Sequence, residues 1–199
     1  MARRIIDIVG AALLFTLLLP LLLLSAFAVW IGAGRPVFFR HERIGHRGQR
    51  FGCLKLRTMA VDAEVRLERE PALKSTYVAN GYKLPNGTDP RVTTVGRVLR
   101  RMHVDEIPQL INVLEGSMSL IGPRPIVQEE LRQYGNRADE LLLAKPGIIG
   151  EWTSRGQKRP DYPERAAIEL DYVRNRSLRR DLAIVIRSIP VVLRGQDDG

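Results

Sequence analysis

Two adjacent carboxylates, Asp105 and Glu106, stand directly before Ile107-Pro108-Gln109-Leu110. An acidic cap and first turn with proline near a helix start is a sufficient structural account of them. The same position also concentrates backbone N–H groups and positive dipole, the setting in which a phosphate binds, and there two carboxylates can divide labour. One can attack phosphorus to give an aspartyl-phosphate-type intermediate. The other can hold Mg²⁺, which needs only one or two protein carboxylates because substrate phosphates and water supply the remaining ligands. Cations suited to phosphate lie nearby in the sequence. Arg124 is framed by Pro123 and Pro125, a stiff mount that lowers the entropic cost of presenting a guanidinium. Lys55 and Arg57 share one face if their segment is extended, and Arg91, Arg97, Arg100 and Arg101 precede the acidic pair. Each alone reads as a solvated surface cation; their grouping around one acidic pair points to an anionic substrate. The sequence contains neither GxxxxGK[ST] nor GxGxxG, so a nucleotide is not expected on a P-loop or Rossmann turn.

The elements that must position these groups belong to a chain of 199 residues with a net charge of +9, 45% of it apolar. That is one domain's worth of chain with enough apolar content for a core, which excludes disorder. One cysteine, Cys53, and three histidines exclude an intramolecular disulfide and a zinc module. The basic excess says only that the partner is anionic: nucleic acid, a phospholipid surface or a phosphorylated metabolite.

Residues 8 to 34 carry no charge, and a helix of that length reaches roughly 40 Å against a hydrocarbon core of about 30 Å. A signal peptide is the competing reading, with Ala26-Phe27-Ala28 as a cleavage-like sequence, but Asp7 and the length of the run speak against it. Arg3 and Arg4 precede the run and Arg35, Arg40, Arg43, Arg47 and Arg50 follow it. Basic flanks prefer the cytoplasm, so a segment that enters and returns satisfies both, whereas a straight span leaves one misplaced. Pro20 near the middle removes a donor and supplies a cause for a bend; a kinked spanning helix remains the alternative.

Beyond the anchor, residues 36 to 59 predict a hairpin around Gly45-His46-Arg47-Gly48. A helix is expected over about 60 to 70, loop over 74 to 90, and helices over 92 to 101, 105 to 114, 126 to 143, 164 to 174 and 179 to 193, the last interrupted at Pro190. Residues 116 to 125 and 145 to 163 read as loops. In the final helix, apolar Leu182, Ile184, Val185, Ile186, Ile189, Val191, Val192 and Leu193 flanked by arginines fit either a helix in a membrane interface or a core helix. The expected fold is therefore a helix-rich α+β protein: an N-terminal membrane helix over residues 1 to 35, a small β-hairpin, and a compact helical domain over 36 to 199.

Arg43-Ile44-Gly45, Lys55-Leu56-Arg57-Thr58-Met59, Asp89-Pro90-Arg91-Val92-Thr93, Asp105-Glu106-Ile107-Pro108-Gln109-Leu110, Gly122-Pro123-Arg124-Pro125 and Lys145-Pro146-Gly147-Ile148, in this order and spacing, resemble the bacterial sugar transferase family of monotopic phosphoglycosyl transferases. The likeness runs from Arg4-Ile5-Ile6-Asp7 to Tyr172, Asn175 and Asp181. It implies transfer of a sugar 1-phosphate from a UDP-sugar to a polyprenyl phosphate such as undecaprenyl phosphate, with release of UMP, at the cytoplasmic face of the bacterial inner membrane. Carried over, Asp105 is the nucleophile and Glu106 a ligand to Mg²⁺. Arg124, Lys55, Arg57, Arg91 and Arg100 serve the phosphates, Asp89 the metal or the shape of the site, and Pro20 the bend of a re-entrant helix. A lipid-linked product implies downstream glycosyltransferases as partners; nucleic acid is not expected.

This sequence departs from the family pattern at Leu19 before the proline, at His103-Val104 before the acidic pair, and at Gly150-Glu151-Trp152-Thr153. Those changes bear on the choice of sugar rather than on the chemistry. The chain also resembles the minimal form of the family, without the extra membrane helices and nucleotide-fold domain of larger relatives. The competing function is a non-catalytic scaffold whose arginines meet anionic lipid.

Overall fold

The computed structural model describes residues 2–80, 84, 89–156 and 160–194. It is a helix-rich α+β arrangement in which one long apolar helix, α1 (Ala2–Ala33), lies against a domain of short elements. Residues 7, 11, 15, 18, 22, 26, 29 and 33 of α1 recur at three- and four-residue spacing, so they form one stripe. Ala11, Leu22 and Val29 on that stripe are buried in a common cluster with Leu99, Val104, Leu110 and Val113 of the domain. The other faces of α1 are covered by exposed apolar side chains such as Leu13, Leu17, Leu24, Phe27 and Ile31, a surface suited to lipid rather than water.

Both ends of α1 are fastened to the same domain. Near its start, Arg4 donates to the carbonyls of Val113 and Leu114 at 2.5 and 2.7 Å, and the Asp7 carboxylate accepts from the Ser119 hydroxyl and the Leu120 amide at 2.9 Å. At its end, Arg57 donates to the carbonyls of Ala33 and Gly34 at 2.5 and 2.9 Å. Pro20 lies inside α1 and does not end it. The proline deletes one donor and leaves the Leu-rich turns on either side intact.

The predicted hairpin forms from β1 (Phe38–Ile44) and β2 (Arg50–Leu56), antiparallel with Arg40 opposite Leu54 and His41 opposite Cys53. Its turn contains Arg47 and Gly48, both at positive φ. Helices α2 (Ala63–Arg69) and α3 (Pro71–Ala79) follow, and Pro71 opens the second of them at its first position. Of the loop expected over 74 to 90, residues 74 to 79 are helical, and its 81–83 and 85–88 stretches, including Gly81 and Pro85-Asn86-Gly87, fall outside the described residues. Helix α4 (Thr94–Arg101) starts at Thr93, whose hydroxyl accepts from the Gly96 amide at 3.0 Å.

The helix expected from Asp105 to Leu114 is two elements: a 3₁₀ turn, Val104–Glu106, and α5 (Gln109–Glu115). That expected over 126 to 143 is divided into α6 (Gln128–Leu131), a distorted turn over 132 to 137 and α7 (Ala138–Leu141), because Gly135 sits at φ 55° and ψ −131°. Both stretches expected as Gly/Pro loops hold a strand, β3 (Ser119–Ile121) and β4 (Gly147–Ile149), paired in parallel. Gly122 and Gly147 let these strands meet, since a Cβ on Gly147 would stand 2.0 Å from the Gly122 nitrogen. Helix α8 (Glu164–Arg174) matches expectation, and α9 (Leu178–Arg194) runs through Pro190 without the expected interruption. On α9, Ile184 is buried while Leu178, Leu182, Ile186 and Ile189 are exposed; the side chains of Val192, Leu193 and Arg194 lie outside the described residues.

Helix α4 packs backbone to backbone on the strand end before the site. A Cβ on Gly96 would stand 2.1 Å from the Thr58 carbonyl oxygen, and that oxygen also accepts from the Thr93 amide. Gly96→Ala must therefore push α4 away; an unfolding-temperature measurement in detergent is expected to show a loss of about 2 kcal/mol or more of stability. An unchanged midpoint would show that this approach is loose.

Candidate active site

The acidic pair sits on the 3₁₀ turn between α4 and α5. The turn is entered through His103, which adopts φ 54° and ψ 18°, a left-handed conformation that costs a non-glycine residue about 1 kcal/mol. Asp105 is buried, with 6% of its surface exposed, and Glu106 lines a narrow, solvent-open cleft. Strand β2 crosses in front of the turn and brings Lys55 Nζ to 2.6 Å from Glu106 Oε1, both side chains about one-fifth exposed. What fixes β2 there is Asn112 on α5. Its Oδ1 accepts from the Leu54 amide at 2.8 Å and its Nδ2 donates to the Gly52 carbonyl at 3.0 Å. One side-chain amide thus pairs two outward-facing backbone groups of the strand beside Lys55.

Around the cleft stand Arg43, Cys53, Lys55, Gln109, Arg124, Gly147, Ile148 and Gly150. The Pro123–Pro125 segment follows β3 directly and is tied back by the Ile44 amide to the Ile126 carbonyl at 2.9 Å and by Arg43 to the Pro125 carbonyl at 3.3 Å. Arg43 also bonds His41 Nδ1 at 3.1 Å. Burial, with Arg43 and Lys55 close by, lowers the His41 pKa to about 4, so this ring is neutral near pH 7 and can accept that bond.

The two carboxyls are driven apart electrostatically. Burial raises the Asp105 pKa to about 6, with Glu106 adding to the rise and Lys55 and Arg100 opposing it. Burial also pushes Glu106 upward, but the charges of Lys55 and Arg124 and the Lys55 hydrogen bond outweigh it, and Glu106 ends well below the ordinary carboxylate range. Glu106 is thus fixed as an anion, while Asp105 becomes fully anionic only as pH rises through about 6. The arrangement provides a permanently charged oxygen donor, an ionisable buried carboxylate and several cations at one cleft, a set suited to phosphoryl chemistry.

The structure brings Asp105, Glu106, Lys55 and Arg124 together. Arg100 stands behind Asp105, its Nε donating to the Thr58 hydroxyl at 2.9 Å. Arg57, which shared a face with Lys55 in the sequence pattern, is spent on the end of α1. Asp89 and Arg91 are buried and pair in bidentate fashion at 2.9 Å, with the Arg91 amide also on Asp89; neither lines the cleft. Three contributors carried no assigned role in the sequence reading: Asn112, Arg43 and Gln109. Arg43 and Gln109 do lie within the motifs that carry the resemblance, but nothing local in the surroundings of the three marks what they touch.

Comparison with known proteins gives one consistent result. The bacterial sugar transferase family model matches residues 1–195. The chain is 43% identical over 196 residues to the exopolysaccharide production protein ExoY of Rhizobium meliloti, covering 96% of this chain and 85% of that protein. It is 40% identical over 199 residues to the UDP-glucose:undecaprenyl-phosphate glucose-1-phosphate transferase of Caulobacter vibrioides, covering 96% and 69%. With the undecaprenyl-phosphate galactose phosphotransferase of Salmonella typhimurium it shares 38% over 196 residues, 96% of this chain but 40% of the relative's length.

If Lys55 is what keeps the acidic pair ionised, then removing its charge must move Asp105 further up. A titration of carboxyl ¹³C shifts is expected to give Asp105 a midpoint near pH 6 in the parent protein and a higher one in Lys55→Met. A midpoint that stays in place would assign the balance to Arg100 instead.

Proposed function

The chain belongs to the bacterial sugar transferase family, and from that membership we propose that it moves a sugar 1-phosphate from a UDP-sugar to undecaprenyl phosphate, releasing UMP and leaving a polyprenyl diphosphate-sugar. It is a phosphoglycosyl transferase by kinship with relatives named as undecaprenyl-phosphate galactose and glucose phosphotransferases. The observation that carries the reading is Glu106 on a cleft walled by Lys55, Arg43 and Arg124, with Asp105 buried next to it on the same turn.

In the proposed route an Asp105 carboxylate oxygen attacks the sugar-linked phosphorus. The bond from that phosphorus to the bridging oxygen breaks, UMP leaves with the electron pair, and an aspartyl phosphosugar remains. A phosphate oxygen of the polyprenyl phosphate then attacks the same phosphorus and returns Asp105 as a carboxylate, so no net proton transfer is required. Asp105 contributes no surface to the cleft, and attack therefore calls for a local adjustment of the turn when the donor binds. Arg124, Arg43 and Lys55 are placed to take up phosphate charge, and Arg124, as a planar donor, can do so bidentately.

Mg²⁺ fits this donor set. Glu106 is a hard anionic oxygen donor on the cleft wall with Asp105 adjacent, and among the described residues no cluster of three His, Cys, Asp or Glu forms a cage by itself. That suits an ion that takes one or two protein carboxylates and completes its shell from phosphates and water. Glu106 would hold it, with Asp105 next in reach; Asp89 has both oxygens on Arg91. When bound, the ion would neutralise diphosphate charge.

The membrane setting follows from α1. Its exposed leucines need an apolar medium, and both of its ends are fixed to one domain, although a straight helix of 32 residues would reach about 48 Å. Those two facts support a re-entrant α1 bent about Pro20; the basic residues on both flanks of the apolar run favour the cytoplasmic side for the domain, and the apolar face of α9 would lie in the interface. The lipid-linked sugar would serve exopolysaccharide or related glycan assembly and pass to glycosyltransferases that act on such carriers.

The test is UMP release from a panel of UDP-sugars with Mg²⁺, with and without undecaprenyl phosphate. Lipid-dependent release is expected from the parent protein, at least about 10³-fold less from Asp105→Asn, whose amide cannot form the acyl phosphate. Glu106→Gln is expected to shift the Mg²⁺ titration to higher concentration, and Arg124→Lys to lower turnover by roughly tenfold or more. Undiminished turnover in Asp105→Asn would remove the covalent route.

A further inference from the structure

Arg124 carries no hydrogen bond and no ion pair within 4 Å among the described residues; its charge acts on Glu106 only at longer range, and its Cζ lies 6.0 Å from the centroid of the Trp152 ring. A guanidinium that is to receive phosphate must point one way yet keep its N–H groups free. A carboxylate would fix it by consuming those groups, whereas an aromatic face attracts the cation through its quadrupole and leaves the edge donors available.

Trp152 is in turn held from behind. It is buried, and its indole N–H donates to Glu169 Oε1 at 2.9 Å. Glu169 also accepts from Arg165 Nε at 3.2 Å and from the Tyr134 hydroxyl. Arg165 has no exposed surface; its NH1 donates to Glu130 Oε1 at 2.8 Å, and its Cζ lies 5.7 Å from the Trp152 centroid. Glu130 Oε2 reaches Arg43 at 3.5 Å, and Arg43 bonds the carbonyl of Pro125, the residue after Arg124. Both arginines of the cleft thus end on one buried network supplied by α6 and α8. Burying one arginine between two carboxylates gains little over apolar packing of the same volume, so stability alone is a weak reason for it.

We infer that Trp152 is a positioning residue for Arg124, and that Arg165 and Glu169 act through it by fixing the indole. This rests on Arg124 serving the donor phosphates, as proposed above. The departure of Gly150-Glu151-Trp152-Thr153 from the family pattern then lies beside this support, with Gly150 and Thr153 on the cleft wall.

The chain has two tryptophans, Trp30 and Trp152, so Trp30→Phe leaves Trp152 as the sole indole in the full-length protein. In that background, kcat/KM is measured for Arg124→Ala, Trp152→Leu, Trp152→Phe and the double variant Arg124→Ala/Trp152→Leu. Each loss of Arg124 or of the ring is expected to lower kcat/KM by roughly tenfold or more. The double variant should be no slower than Arg124→Ala, and Trp152→Phe should recover most of the rate because it keeps a ring face. Losses that multiply in the double variant, or a Trp152→Leu as active as Trp152→Phe, would overturn the inference. A second measurement leaves Trp152 in place. Arg124→Ala is expected to shift Trp152 emission and to remove its response to added UDP; emission and response equal to the parent's would also overturn it. Absence of transfer by the Trp30→Phe parent would count against the reaction assignment, while the fluorescence reads the Arg124 contact separately.

Discussion

Two consecutive carboxylates in a largely buried turn cannot both carry charge without a cation between them and the low-dielectric interior. Lys55 supplies it, 2.6 Å from Glu106, and much of the architecture serves to keep it there. The hairpin offers Lys55 on β2, Asn112 pins β2 to α5 through two hydrogen bonds, and the left-handed His103 swings the turn so that the pair meets the strand. Neighbouring carboxylates thereby acquire different characters: Glu106 a fixed anion, Asp105 an acid of pKa about 6. Two positions of the same chemical type thus differ in charge state, the difference on which the proposed division of roles rests.

The arginines divide in the same manner. Some are structural, and their partners show it: Arg4 and Arg57 fasten the two ends of α1, Arg91 chelates Asp89, and Arg165 sits without solvent contact between Glu130 and Glu169. Others face the cleft, among them Arg124, whose guanidinium lies near the Trp152 ring. A basic composition is thus distributed between clamping the apolar helix, organising the interior and lining the cleft. The formal charge of the chain says nothing of that division.

Fastening α1 at both ends also couples the apolar helix to the elements that carry the candidate site. The carbonyls that receive Arg4 end α5, the helix that begins just after the acidic pair, and Arg57 is two residues beyond Lys55 on the chain. The attachment of the lipid-facing element and the placement of the catalytic groups therefore share one set of short elements.

By itself the sequence determined the apolar anchor, the hairpin around its glycine turn, α8 and the acidic pair with its cations, because each is written in local features: an uncharged run, turn residues, helical periodicity, adjacent charges. Membership of the family was legible too, since it rests on motif order. The parallel pairing of β3 and β4 was not. Three-residue strands within Gly/Pro-rich segments carry no periodicity, and they form because Gly122 and Gly147 allow a backbone approach that joins residues 25 positions apart. Nor could spacing tell Lys55 from Arg57, two residues apart and alike in charge, yet one lines the cleft and the other holds α1. Which cation meets which carbonyl or carboxylate is set by contacts between distant segments. Tertiary structure alone decided that Lys55 serves the acidic pair and Arg57 the anchor.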